Sequence, residues 1–334
     1  VVEGVTPTIV RLPGHQVQRI LANPIIAIGD TETMQPHQLQ YFVAIAETGS
    51  FTAGAQRARV VQSAASAAVK QLERELGCVL FVRGRRIALT PEGEALLPRA
   101  RDVLAAIDAA RAAVAATRGQ IVGTVSLGMM NHLARFDVAA LLADFRRAHP
   151  GVVVHARQTG TGSRGSLEAV RRGDLDLALA STVSETAPGL VLRTLDSEPI
   201  RFVCHRTHPL AGTGTVRLAQ LADEPFVESP VGWGNRAVVD QAFAAAGLRR
   251  DVHTEATDFV LGQALVREGL GVMFVPASAV SPDPEIVALD VEPALTWSVR
   301  LAHSASRPLS AAAAALADRL ERGAPHGRAG TRSR

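Results

Sequence analysis

The sequence predicts an α/β protein in two parts, a small mainly helical front and a larger α/β body, joined by one long helix. Three observations predict it. Residues 50–76 read as two short helices with a tight joint. Residues 91–119 repeat apolar positions every three to four residues with no turn between them. Beyond Gly119 and Gly123 the texture changes to short strand-like runs alternating with helical ones, as in a parallel sheet. The 334 residues suffice for more than one domain and a sizeable core.

Composition narrows the class. The net charge is only +3, but residues 34–120 carry 11 Arg/Lys against 7 Asp/Glu, and residues 121–320 carry 18 against 21. A basic front on a mildly acidic body fits a nucleic-acid module joined to something else, although such an imbalance also arises by chance. Lys70 is the only lysine. Cys78 and Cys204 form no C-x-x-C and lie far apart, which points to a reducing cytoplasm. No apolar run is long enough to span a bilayer, and residues 1–33 show no signal-peptide pattern, so no membrane partner is expected.

Taken in order, residues 1–33 hold Pro7, Pro13 and Pro24 and no sustained period. They are expected to be a disordered extension, or an upstream stretch included by a misplaced start. Met34 opens the first pattern. Leu39, Phe42, Val43 and Ile45/Ala46 line one side of a helix that Gly49 ends. Ser50 can cap the next helix, which carries Phe51, Ala55 and Ala58 on one face. Val60 and Val61 interrupt it, and Gln62 and Ser63 restart the pattern as a turn and new cap. The following helix turns Ala65, Val69, Leu72 and Leu76 inward and Gln62, Ser66, Lys70 and Arg74 outward; Gly77 stops it. Two helices, a short turn and a small polar, basic outer face make a helix-turn-helix sized for the major groove. CVLFVR, GRR and IALT then read as a two-stranded wing bearing Arg83, Arg85 and Arg86, placed to reach phosphate or the minor groove. An arginine cluster in a turn is otherwise simply solvated.

In residues 91–119, Pro91 suits a first helical turn. Leu96/Leu97, Ala100, Val103/Leu104, Ile107, Ala110/Arg111 and Val114 form a seam that a partner helix or the chain's own domain can cover. Pro98 should kink this helix or mark its true start. TVSLGM, GVVVHARQ and DLALA read as strands, with helices at Leu133–Arg147 and Arg164–Arg172 between them. LVLRTL, IRFVCHRTHPL, VHTEA, GVMFVPASAV, IVALDV and SVRLAHS continue the strands. Helices are expected over Arg236–Ala246, Phe259–Glu268 and Leu309–Arg322, followed by a disordered tail at 323–334.

The run from LQYFVAIAETGSFT through Q-S-A-x-S and K-Q-L-E-x-E-L-G to L-T-P-E-G resembles the winged helix-turn-helix of LysR-type transcriptional regulators over about 60 residues. RRGDLDLALA, HPL, FVESPVGWG and LVREGLGVMFVPAS resemble, in order, that family's effector-binding part, which is similar to type 2 periplasmic binding proteins. The resemblance implies a winged helix-turn-helix at 34–90, a linker and dimerisation helix at 91–119 and an effector-binding domain at 124–306. One lobe would hold about 124–200 and 277–306, the other about 201–276, with a C-terminal helix at 307–322. It also implies pairing of linker helices into a homodimer, tetramers built as pairs of dimers, double-stranded operator DNA as partner, and RNA polymerase as a further candidate partner. The chain departs from the family at Gly54, where Ala is usual and where a mid-helix Gly costs about 0.5–1 kcal/mol. Ala58 and Ala65 replace larger aliphatics, and Val61 replaces a Ser or Thr ahead of Gln62.

The residues expected to contact DNA are Gln62, Ser63, Ser66, Lys70, Arg59, Arg83, Arg85 and Arg86, with Gln62 reading a base edge because its amide can pair bidentately with adenine. In an open α/β sheet a ligand sits beyond the carboxyl ends of the strands. Asn131 lies there and can cap the helix behind it. Thr161, Gly162 and Ser163 precede one helix, and Gly232, Trp233 and Asn235 precede another. With Met130 and Ser181 these are the candidate effector residues. Free N–H groups at helix starts favour an anion, most simply a carboxylate; equally, Asn, Thr and Ser often act only as caps. Met130 and its neighbour Met129 suit a pocket wall or packing alike.

A competing reading is an enzyme or solute-binding protein on the same fold with an accessory DNA-binding domain, since such folds host catalysis. No H-E-x-x-H, G-x-S-x-G or Gly-rich phosphate loop is present, so no catalytic residue is expected. His205 and His208 beside Cys204 lack a fourth ligand, so neither a metal nor a cofactor is expected. A plain DNA-packaging protein fits poorly with the ligand-sized second half.

Overall fold

The computed structural model describes residues 34–324 apart from 83, 85 and 86. The expected extension at 1–33, the arginines Arg83, Arg85 and Arg86, and all of the expected tail beyond residue 324 lie outside the described residues.

The front is a trihelical unit. Helix α1 spans Pro36–Thr48, with Pro at its first position and Gly49 (φ +63°) ending it. Helix α2 spans Phe51–Arg57, and the Ser50 hydroxyl accepts its Ala53 N–H at 3.3 Å. Helix α3 spans Gln62–Leu76. Gln62 and Ser63 are its first two residues rather than its cap; exposed Val61 holds the cap position and has no side-chain group to offer an N–H. The joint turns at Arg59, whose φ of +57° is unusual for a residue with a Cβ. Leu39, Phe42, Ile45, Ala55, Ala65, Val69 and Leu72 form the core, closed by Leu80, Phe81 and Ala100. Leu76 does not join it: it is 39% exposed, because Gly77 lets the chain leave just beyond it. The wing is the antiparallel pair β1 (Phe81–Val82) and β2 (Ala88–Leu89).

Helix α4 runs from Pro91 to Ala116, with Thr90 capping its start and Pro98 inside it. Leu96, Leu97 and Leu104 pack onto the core of the front unit. Val103 (45%), within the same stretch, and Val114 (62%) are exposed. The apolar seam is therefore divided between residues that cover the chain's own domain and residues that face outward.

The body is built on an eight-stranded mixed sheet. Strands β3 (Gly123–Met129), β4 (Val152–Gln158) and β5 (Leu177–Ala180) are parallel, with helices α5 (Val138–Ala148) and α6 (Gly162–Arg172) between them. Two runs expected as separate strands form one, β6, over Leu190–His205. After β7 (Thr215–Arg217) come the parallel pair β8 (Pro225–Glu228) and β9 (Asp251–Glu255), and helices α7 (Gly234–Ala245) and α8 (Phe259–Arg267). Strands β10 (Met273–Pro276), β11 (Ile286–Glu292) and β12 (Thr296–Ser304) and helix α9 (Ala311–Arg322) complete the chain.

Strand β6 divides the body into lobes. Its first part, Leu190–Pro199, pairs with β12; its second, Ile200–His205, pairs with β10 and β11. Strand β11, read from sequence with the first lobe, thus belongs beside the second half of β6. Phe202, Phe226, Phe243 and Phe274 pack ring against ring there, with centroids 5.7–6.2 Å apart. Each fully buried Phe contributes roughly 1.5–3 kcal/mol, which fixes the second lobe's frame and the loops it presents to the first.

Candidate functional site

The outer face of α3 shows Gln62, Ser63 and Lys70 exposed, with Ser66 half-buried. Gln62 is braced from α2, where the Thr52 hydroxyl donates to its Oε1 at 3.0 Å. That bond engages the amide oxygen of an otherwise exposed side chain. Sequence alone does not single out Thr52; its signal is its place in the first turn of α2, next to the start of α3. Arg59 is exposed at the joint. Among the described residues the face carries Arg59, Lys70 and Arg74 and no exposed carboxylate on α3.

The second site lies between the lobes. A cavity of about 240 Å3 is lined from the first lobe by Met130, Asn131, Gly162, Ser163 and Ser181, and from the second by Trp233 and Asn235. Seven of the nine candidate effector residues therefore converge. Thr161 and Gly232 do not line it. Thr161 is exposed and packs on Gly165, and Gly232 turns its carbonyl to the Arg164 N–H at 3.1 Å. Met129 is half-buried against the core.

Among the described residues, three of the contacts between the lobes lie at the cleft's candidate effector residues. The Arg164–Gly232 bond is one; it occupies an N–H of the α6 start that sequence reasoning left free. Asn131 is another. It caps nothing, because a loop separates β3 from α5 and Asp137 caps that helix instead; Asn131 Nδ2 donates across the cleft to the Thr257 carbonyl at 3.0 Å. The third is the Trp233 ring over Gly162, where an added Cβ would come within 2.6 Å of the indole and where φ is +65°. Only glycine satisfies both conditions.

Two helix starts face the cavity. Among the described residues, the N–H groups of Gly162 and Ser163 on α6 and of Gly234, Asn235 and Arg236 on α7 have no acceptor. At the α8 start Asp258 accepts the Leu261 N–H at 2.9 Å and sets its own negative charge beside the cavity. Neither Arg nor Lys lines the cavity. The wall that sequence reasoning missed is aromatic and polar: His132, Phe259 and Trp297, with Ser278 below. His132 lies 5.5 Å, centroid to centroid, from both Phe259 and Trp297, and its Nε2 is 2.9 Å from Ser278 Oγ. Beneath them Glu198 accepts from Ser278 N–H (2.9 Å) and Oγ–H (2.6 Å). Burial pushes the Glu198 carboxyl up, but nearby His132 and the two hydrogen bonds from Ser278 outweigh it and hold the group below the usual carboxylate range. These residues come from five separate stretches, so no local pattern announces them.

A third cluster joins the two parts of the molecule. Arg101, on α4, pairs with Glu47 of α1 at 3.0 Å and with Asp174 beyond α6 at 2.5 Å. Glu47 also pairs with Arg57 of α2 at 2.7 Å.

Residues 118–325 match the LysR substrate binding domain, and residues 36–94 match the bacterial regulatory helix-turn-helix of the lysR family. The chain belongs to the LysR family of transcriptional regulators. The relatives include Bacillus subtilis GltC, a transcriptional dual regulator, 34% identical over 73% of this chain and 81% of its own length. A probable nitrogen assimilation transcriptional activator of Synechococcus elongatus is 32% identical over 80% of this chain and 88% of its own length. Among solved structures, full-length CbnR in complex with its target DNA is 25% identical, with a TM-score of 0.57, covering 87% of this chain and all of its own. A full-length OxyR variant from Pseudomonas aeruginosa shares the fold at a TM-score of 0.66 and 23% identity, covering 86% of this chain and 98% of its own. This LysR-type regulator is thus a DNA-binding transcription factor with an effector-binding domain, and its relatives are regulators rather than enzymes. Among the described residues no helix is long and apolar enough to cross a membrane.

Proposed function

We propose that this regulator reads operator DNA through α3 and that an anionic small molecule, held between the lobes, sets its activity. The observation that carries the reading is the cavity: two helix starts with unpaired N–H groups open onto it, on the same chain as a helix-turn-helix with an exposed polar face. Gln62 reads a base edge, Ser63, Ser66 and Lys70 contact base edges or phosphate, and Arg59 with the wing arginines Arg83, Arg85 and Arg86 adds salt-dependent affinity. The exposed apolar positions of α4, Val103 and Val114, pair with those of a second copy. Such a dimer sets two recognition helices about one DNA turn (~34 Å) apart, or a multiple of it, and pairs of dimers form tetramers. The regulator works in the cytoplasm, and RNA polymerase is the partner through which bound protein alters transcription. Effector binding shifts how dimers associate, and with it the spacing and bending of the DNA.

The test is a fluorescence-anisotropy titration of DNA flanking the regulator's own gene, at two salt concentrations, with wild type and Gln62→Ala. Wild type should prefer that DNA over a scrambled sequence and weaken steeply with salt. The variant should lose about 1–3 kcal/mol of the preference while keeping its salt slope. Equal binding of both DNAs by wild type, or an unchanged preference in the variant, would remove Gln62 as the reader.

A further inference from the structure

We infer that the effector is a small α-hydroxy monocarboxylate and that Asn235, with Ser181, reads its hydroxyl. The inference rests on the cleft being the effector site.

The carboxylate follows from the helix starts. Two helices of 11 and 12 residues point unpaired N–H groups at one cavity. Each start carries roughly half a positive charge, so together they balance one carboxylate. Nothing in the lining balances a second. No guanidinium or ammonium group is present there, Asp258 is itself acidic, and His132 is already engaged with Ser278, 3.8 Å from Glu198. A dicarboxylate or a phosphate would be under-compensated.

The hydroxyl follows from a second observation, independent of the helices. Asn235 is 3% exposed and Ser181 is 2% exposed; both line the cavity, and Asn235 Oδ1 and Ser181 Oγ are fully enclosed without a hydrogen-bond partner. The amide orientation is set by its other end, since Nδ2 donates to the Phe274 carbonyl at 2.8 Å. What Asn235 presents is therefore an acceptor. Ser181 abuts the residue before it: a Cβ on Gly234 would come within 2.4 Å of Ser181 Cβ. Buried polar atoms are almost always paired, so the ligand supplies a donor here, beside the N–H groups that take its carboxylate. A hydroxyl on the adjacent carbon does so. It donates to Asn235 Oδ1 and can accept from Ser181 Oγ–H. An ammonium at the same carbon could turn only to Asp258, whose carboxylate lines the cavity while capping α8, since Glu198 is held by Ser278; the titration separates that outcome from the hydroxyl.

The rest of the ligand is apolar and short. Met130, Phe259, Val260, Ala279 and Trp297 form the apolar part of the remaining wall, against which such a skeleton packs, and 240 Å3 is below the range of pockets that hold drug-sized molecules.

The experiment is calorimetric titration of the full chain with matched acids on propyl, isobutyl and benzyl skeletons. In each set the α-carbon carries a hydroxyl, a hydrogen or an ammonium. In at least one set the hydroxy acid should bind tenfold or more tightly than its hydrogen counterpart, the worth of satisfying a buried acceptor, and more tightly than the amino acid. Ser181→Ala and Asn235→Leu should each narrow that ratio. Ser181→Ala leaves the Asn235–Phe274 bond intact, and its melting temperature reports that the fold survives. Equal or tighter binding of the hydrogen or ammonium counterpart, no binding in any set, or a ratio unchanged in both variants would overturn the inference. A Met130→Trp variant, which fills the cavity, separates the two levels. Loss of a hydrogen counterpart's binding in that variant keeps the cleft and rejects the hydroxyl; a hydroxy acid that still binds it rejects the cleft itself.

Discussion

At the scale of single residues, the polar floor of the cleft makes a prediction about acid. Glu198 is 8% exposed and takes two hydrogen bonds from Ser278, with His132 beside it. Its carboxyl is held below the usual range, so its contribution to stability is complete above the ordinary value of 4.5 and disappears as pH falls through the lowered one. Glu198→Gln replaces a charged acceptor by a neutral one and puts an amide N–H against a donor. It should cost about 1–3 kcal/mol at neutral pH. Denaturation of the two proteins from pH 7 down to about 3 should show the gap closing as the wild-type carboxyl protonates. A gap that persists or widens in acid would mean that Glu198 acts through packing, not charge. At this scale the sequence was only partly legible. Gly162, Ser163, Trp233 and Asn235 stand at helix starts, and capping chemistry marks such positions. His132, Ser278, Glu198 and Trp297 sit in a loop, a single 3-10 turn and two strands with no periodic signal, and only the tertiary fold brings them together.

At the scale of elements, Gly54 shows how a local rule is overridden. By helix propensity a glycine inside α2 costs about 0.5–1 kcal/mol, and the sequence alone presents it as a weak point. In the fold it is where α2 crosses α1: a Cβ there would lie 2.7 Å from the Ile45 Cα and 2.8 Å from its nitrogen. Backbone cannot yield as a side-chain tip can. Gly54→Ala should therefore destabilise the helix-turn-helix, with overpacking of about 1–3 kcal/mol exceeding the propensity gain. Chemical denaturation followed by far-ultraviolet circular dichroism would measure it, and a raised midpoint would show that the crossing relaxes freely. Elements were otherwise readable because period and caps are local: α1, α3, α6 and α8 begin or end within two residues of expectation. The Leu133 helix start failed because apolar spacing continues through the loop before Asp137, and the single strand β6 because Pro199 inside it reads as a break.

At the scale of the whole molecule, the question is how the cleft communicates with the DNA-reading face. Helix α6 starts at the cavity with Gly162 and Ser163 and ends at Gly173, and the next residue, Asp174, holds Arg101. Arg307 fixes that end of α6 by donating to the Val170 carbonyl at 2.6 Å. Arg101 in turn holds Glu47, which holds Arg57 at the end of α2. A short rigid element and one ion-pair hub thus span the distance from the cavity to the helix-turn-helix. Arg101 and its carboxylates are 11–21% exposed, so each pair contributes at most about 1 kcal/mol. That is enough to bias a two-state arrangement, since allosteric couplings are typically about 1–3 kcal/mol. Asp174→Asn removes only the effector-domain side of the hub. It should speed amide hydrogen exchange in the last turn of α1, around Glu47, by up to about fivefold, although residue 174 belongs to the other domain. In an Arg101→Gln background the same substitution should change nothing there, because the connection is already broken. Faster exchange confined to residues near 174, or the same effect in both backgrounds, would show that the two domains respond independently and that the coupling runs through the dimer instead.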